Sequence, residues 1–184
     1  MSSAKVGFLY SLFCSLSGVH FLGPRFFIYL TNWTLLLHMF ALLSLCLQKK
    51  KSELQRNLLI VSWTMGWVIT IMFWVYIFPI IDLNLLPPVW HYVSTHGGVH
   101  LFIVYEFLNS NLHLEKKDFK WPILMMLSYL FLMVLPLKSY GIIIYPLFFD
   151  EVIATISILL GSFLVLGIAF YTGIYSLSKK KKNF

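Results

Sequence analysis

The chain is poor in everything a water-facing surface needs. Of its 184 residues only 11% are charged, and Asp and Glu together number 7. Soluble domains carry about 25% charged residues, so a soluble globular domain is excluded. Cysteine is scarce too: the 2 present, Cys14 and Cys46, lie inside apolar segments and offer no disulfide framework. Period-two alternation is also missing, which argues against a transmembrane barrel. No internal repeat or low-complexity linker occurs apart from a lysine tail.

What is present is apolar. Hydrophobic residues make up 59% of the chain, in long runs that recur along the whole length, so the sequence reads as one integral membrane domain, 1–184. Six runs approach the length that a hydrocarbon core of about 30 Å demands. They cover residues 6–22, 26–47, 58–81, 95–112, 121–137 and 152–177. The expected fold class is all-α, a polytopic bundle of six transmembrane helices. Gly23-Pro24 closes the first run, because glycine caps a helix well and proline cannot continue one. Pro87-Pro88 precedes the fourth, and Pro122 sits in the first turn of the fifth, where proline does least harm.

The net charge of +7 would fit nucleic acid as a partner, but the basic residues fall in short clusters between apolar runs, where they act as topology signals. Lys5 precedes the first run. Lys49, Lys50, Lys51 and Arg56 follow the second, Lys116, Lys117 and Lys120 the fourth, and Lys179 to Lys182 the sixth. Only Arg25 and Lys138 fall on the other side. The pattern predicts both termini in the cytosol and no nucleic-acid partner. The first run has some features of a cleaved signal peptide, but its length favours a retained span.

The fourth run is the least apolar, since it holds His96, His100, Glu106 and Asn109. An ionisable side chain at mid-span costs about 2.5–3.5 kcal/mol, so His96-Gly97-Gly98-Val99-His100 marks a functional site facing the bundle interior. The second run opens with Tyr29-Leu30-Thr31-Asn32-Trp33. Thr31 and His100 each lie about five residues into their spans from the non-cytosolic side, about 7–8 Å deep at 1.5 Å per residue. A threonine hydroxyl becomes a nucleophile when a base takes its proton, and histidine suits that role. Asn32 and the backbone at Gly97 and Gly98 are possible oxyanion donors, and Glu106 is a possible orienter.

Blander readings use the same residues. Thr31, Thr34 and His38 share a helix face and would serve as interhelical hydrogen-bonding contacts. The i, i+4 spacing of His96 and His100 suits a metal, with a third ligand from His38, His91 or Glu106, but no diagnostic motif accompanies it. Neither a metal nor another cofactor is expected. The sequon Asn32-Trp33-Thr34 falls inside a span, where glycosylation does not reach.

At these residues the chain resembles the androgen-induced-gene-one-like family of multi-span membrane proteins, which includes the androgen-dependent TFPI-regulating protein and is related to Rolling stone. The likeness rests on the span pattern, on Leu30-Thr31, on Gly98-Val99-His100 and on Glu106. It implies an intramembrane hydrolase of fatty acid esters of hydroxy fatty acids, with Thr31 as nucleophile, His100 as general base and a lipid substrate entering from the bilayer. The pattern departs in three ways. One extra residue separates the histidines, Thr95 stands where the family often has asparagine, and the stretch from His100 to Glu106 is short, which leaves His96 as an alternative base.

Two further classes remain open. One is a proton or metal transporter using His96, His100 and Glu106; the other is a non-catalytic membrane protein like Rolling stone. Lys181-Lys182-Asn183-Phe184 resembles the di-lysine retrieval signal of the endoplasmic reticulum, with the plasma membrane as the other location. The sequence does not fix an oligomeric state.

Overall fold

Where Gly23-Pro24 interrupts the first apolar run, the chain turns. In the computed structural model α1 spans Ser3–Leu22, and Gly23 follows it at φ 54°, a left-handed conformation that a side chain would strain. The structure describes residues 2–47, 52–80, 87–112, 114–134, 139 and 152–182. Among these no strand occurs. A 3-10 turn, Gly23–Ile28, leads to α2, Leu30–Leu47. Helix α3, Glu53–Met72, begins at Ser52, whose hydroxyl accepts the Gln55 N–H at 3.1 Å. It runs on through a π-helical turn, Phe73–Ile77, to a 3-10 turn at Phe78–Ile80.

After Pro87-Pro88 come α4, Val89–Val93, a second π-helical turn, Ser94–Gly98, and α5, Val99–Asn109, as one continuous rod. The 3-10 turn Lys116–Phe119 leads into α6, Lys120–Tyr129, which continues as a π turn over Leu130–Val134. The last helix, α7, is Val152–Lys182.

Four of these elements are long and apolar enough to cross a membrane: Ser3–Ile28, Leu30–Leu47, Glu53–Ile77 and Ser157–Lys179. The boundaries differ from the sequence expectation where backbone chemistry intervenes. The second span starts at Leu30 rather than 26, because Pro24 draws 23–28 into a tight turn. The rod that covers the fourth apolar run begins soon after Pro88 and includes His91. The end of the fifth (135–137), residue 81 of the third, Lys49 to Lys51, Lys138, Asn183 and Phe184 lie outside the described residues.

Helix α1 is inverted relative to a helix of a soluble protein. On α1 the buried residues are small (Ala4, Gly7, Ser11, Cys14, Ser15 and Gly18), while Leu9, Phe13 and Leu16 are more than half exposed. Large apolar side chains facing outward with small ones at the seam are the marks of helices solvated by lipid. An added Cβ at Gly7 would come within 2.8 Å of Phe102, so glycine sets how closely α1 approaches α5.

Helix α3 is the central rod and packs against α2, α5, α6 and α7. Burial of apolar area adds little between helices already in lipid, so polar contacts matter more, at about 0.6–2 kcal/mol each. Trp63 Nε1 donates to Ala169 O of α7 at 2.8 Å, and His38 Nε2 of α2 donates to Ser62 O of α3 at 3.0 Å. The Tyr129 hydroxyl of α6 donates to Ile28 O at 2.8 Å.

One end of the bundle gathers the basic segments. There Ser3 donates to Glu106 and Arg56 pairs with the buried Asp118. Gln55 Nε2 donates to Ser44 O at 3.1 Å. Leu177 of α7 shares a core cluster with Ala4 and Leu114. The start of α1, end of α2, start of α3, end of α5, start of α6 and C-terminal part of α7 therefore lie on one side.

Candidate functional site

Thr31 lies in the first turn of α2, and its Oγ1 is 3.2 Å from Nε2 of His96. Both side chains are buried. The surrounding hydrogen bonds assign the direction of this contact. Nδ1 of His96 is 3.0 Å from Tyr92 O, a carbonyl that can only accept. It is also 3.0 Å from Thr95 Oγ1, whose own proton is directed to His91 O at 2.8 Å. Nδ1 therefore carries the hydrogen. Nε2 keeps its lone pair, and Thr31 is the donor.

The π turn Ser94–Gly98 sets the ring in place. A π turn takes one residue more than an α turn and widens the helix locally, so His96 projects from a distended stretch of the rod. The opposing wall is the other π turn. Phe73 stacks on the imidazole with centroids 3.4 Å apart and planes 18° apart, while Trp74 Nε1 donates to His96 O at 3.3 Å. One face of the base is covered by an apolar ring, and both ends of its residue are held.

His100 lies one turn further along, away from Thr31. Its ring is 5.5 Å from that of His38 and nearly parallel to it at 19°, and the Trp67 ring stands edge-on at 5.1 Å. Its Nδ1 presses on the backbone of α3 at Gly66, where an added Cβ would stand 1.9 Å away. Thr31 meets His96 and His38 meets His100, so the contacts advance in the same direction along both rods. Helices α2 and α4–α5 thus run parallel.

The other sequence-predicted residues have different partners. The Asn32 side-chain amide donates to Phe26 O at 2.8 Å, holding the 23–28 turn against α2. Gly98 lets α1 approach, since an added Cβ would lie 3.0 Å from the Tyr10 hydroxyl, which itself donates to Ser94 Oγ at 2.7 Å. Gly97 faces open space, with only Trp74 Nε1 at 4.0 Å from an added Cβ. Glu106 accepts from Ser3 at the basic end of the bundle, three turns of helix from His96, and orients neither histidine. The orienting role falls to Tyr92 O and Thr95.

His91 packs against α1, with Nδ1 3.0 Å from Ser17 Oγ. Among the described residues no three His, Cys, Asp or Glu side chains form a group suited to a metal ion.

Phe73, Tyr92, Thr95 and Gly66 complete the site; of these only Thr95 stood out in the sequence, as a departure from the family pattern. The Gly-Gly pair at 97–98 was the one trace of the distorted turn. No family model, curated protein or solved structure matches the chain. Its function is therefore argued from an all-helical bundle with a buried hydroxyl–imidazole pair.

Proposed function

We propose that the chain is an intramembrane lipid-ester hydrolase in which Thr31 is the nucleophile and His96 its general base. The observation that carries this reading is the 3.2 Å contact between Thr31 Oγ1 and His96 Nε2, with Nδ1–H held by Tyr92 O. That arrangement repeats the logic of catalytic triads, in which an acceptor fixes the tautomer of the base that activates the hydroxyl.

The Thr31 oxygen attacks the ester carbonyl carbon while His96 takes its proton. The tetrahedral oxyanion forms beside the first turn of α2, where the helix dipole favours negative charge. Collapse breaks the ester C–O bond, His96 returns the proton to the leaving alcohol, and an acyl-Thr31 ester remains. Water then attacks that ester, gives its proton to His96 and releases the fatty acid, and the proton returns to Thr31.

The resemblance to the androgen-induced-gene-one-like family supports fatty acid esters of hydroxy fatty acids as the substrate class, entering sideways from the bilayer. The gathering of basic segments at one end supports six spans with that end and both termini in the cytosol. The Lys181-Lys182-Asn183-Phe184 tail supports residence in the endoplasmic reticulum.

The test is labelling in membranes by a fluorophosphonate probe. Thr31→Ala abolishes labelling, and His96→Ala slows it about 10²–10⁴-fold, the usual contribution of a positioned base. Labelling that survives Thr31→Ala overturns the nucleophile. Loss in His100→Ala with His96→Ala unaffected moves the base to His100. The stacked His38 and His100 favour a proton relay as the second reading; proton flux in liposomes that persists in Thr31→Ala would replace the hydrolase with a transporter.

A further inference from the structure

Beyond the Thr31–His96 pair, four buried polar atoms have no hydrogen-bond partner among the described residues: Thr34 Oγ1, His38 Nδ1 and both ring nitrogens of His100. Their side chains are more than nine-tenths buried. They form one cluster, since the two imidazoles are 5.5 Å apart and Thr34 lies one turn before His38 on the same face of α2. Unpaired buried polar atoms are rare because each costs a sizeable part of a protein's net stability. Four in one place call for a ligand.

The neighbouring groups supply none. Gly66 offers His100 a bare backbone, and Trp67 offers a ring edge. The Trp63 indole, 6.4 Å from His100, directs its N–H to Ala169 O. A metal ion would find two imidazoles but no third His, Cys, Asp or Glu among the described residues. The missing partner must both donate and accept, since His38 Nδ1 accepts (its Nε2 donates to Ser62 O) while His100 presents one donor and one acceptor in either tautomer. Water meets that requirement.

We propose that Thr34, His38 and His100 hold internal water and that this water deacylates Thr31, the second clause resting on the hydrolase reading above. Thr34 stands one turn from Thr31 along α2, so the cluster adjoins the acylated oxygen. In the step itself a water oxygen bonds to the acyl carbon, the acyl C–Oγ bond of Thr31 breaks, and His96 carries one water proton to Oγ. Nothing is oxidised or reduced. His38 and His100 are positioning residues that act through the water they hold.

Two measurements decide the matter. In bilayers containing 15N-histidine protein, magnetisation passes from water protons to the ring nitrogens of His38 and His100, assigned by their loss in His38→Phe and His100→Phe. Thermal unfolding supplies a second test, because removing a dry orphan stabilises a protein whereas removing a hydrated one does not. Thr34→Val and His100→Phe therefore lower the apparent Tm or leave it unchanged. Dry rings, or a Tm raised by both variants, overturn the proposal.

For the supply role, p-nitrophenyl octanoate gives a burst of one p-nitrophenol per chain that Thr34→Val preserves, while steady-state turnover falls about tenfold. Hydrated rings with unaltered turnover in Thr34→Val overturn that role. If the unmodified chain gives no burst, the hydrolase reading fails, and water-to-ring transfer still establishes the internal site.

Discussion

Replacing Gly66 with alanine tests whether His100 is packed as described. The methyl carbon would stand 1.9 Å from Nδ1, 2.2 Å from Cε1 and 2.7 Å from Cγ of His100, against ordinary contacts of 3.4–4 Å. The ring must therefore retreat by about 1.5 Å, a distance set by ordinary packing contacts. It has little room to do so, with His38 at 5.5 Å, Trp67 at 5.1 Å and Trp63 at 6.4 Å between centroids. Overpacking of this kind costs about 1–3 kcal/mol, and contact with a rigid ring on a central helix belongs at the upper end. At about 2–4 °C per kcal/mol for a chain of this size, Gly66→Ala lowers the apparent Tm in detergent by roughly 4–12 °C. Two controls isolate the cause. Gly167→Ala, where a Cβ meets nothing within 4 Å, is neutral or stabilising by up to about 1 kcal/mol. In a His100→Ala background the methyl group has space, so Gly66→Ala adds almost no further loss. A Gly66→Ala protein as stable as its parent, or a loss undiminished in the His100→Ala background, refutes the packing of His100 against α3.

Other outcomes follow from the same contacts. Arg56→Leu leaves the buried Asp118 carboxylate without its cation; the cost is about 2–3 kcal/mol, below that of breaking a fully buried pair because Arg56 is partly exposed, and unfolding at low and high salt measures it. Phe73→Leu removes the ring stacked on His96, and at about 0.5–1.5 kcal/mol for such a stack fluorophosphonate labelling slows about two- to tenfold; an unchanged rate means the ring does not hold the base. Replacing Lys181 and Lys182 with serine releases the chain to the cell surface, read by surface biotinylation, and continued retention shows that the lysines only flank the last helix.

Much of the fold was legible because lipid imposes simple rules. Low charge and long apolar runs predicted helices, and Gly23-Pro24 marked a turn through local backbone chemistry that needs no tertiary context. Among the described residues Arg56, Lys116, Lys117 and Lys120 lie at the end of the bundle that also holds Ser3 and Glu106. The site was legible only in kind. Thr31, His96 and His100 stood out because polar groups are costly in hydrocarbon. Which histidine lies nearest Thr31 depends on a widened turn that hydropathy cannot register. An even 1.5 Å rise put Thr31 and His100 at equal depth, but the rod that carries the histidines begins earlier than its apolar run, at Val89, and His96 is the one that meets Thr31. Glu106 looked available to a histidine in one dimension, yet Ser3, 103 positions away in the chain, holds it. Phe73 and Gly66 gave no sign, since a phenylalanine or glycine in an apolar run is commonplace until the opposing helix is in place.

The distended turn at Ser94–Gly98 also determines how the rod tolerates change in length. A helix that already carries a surplus residue can lose one codon there and close into regular α geometry without breaking. Such a deletion would leave α4 and α5 close to their present facing, because the wide turn spends its extra residue on completing the same rotation. The contacts of Ser94 with Tyr10 and of His91 with Ser17 would stay within reach, while the bulge that carries the His96 ring toward Thr31 would be lost. The stretch from Ser94 to Gly98 therefore works as a local spacer, in which gain or loss of one glycine re-aims a single imidazole and leaves the rods on either side in place.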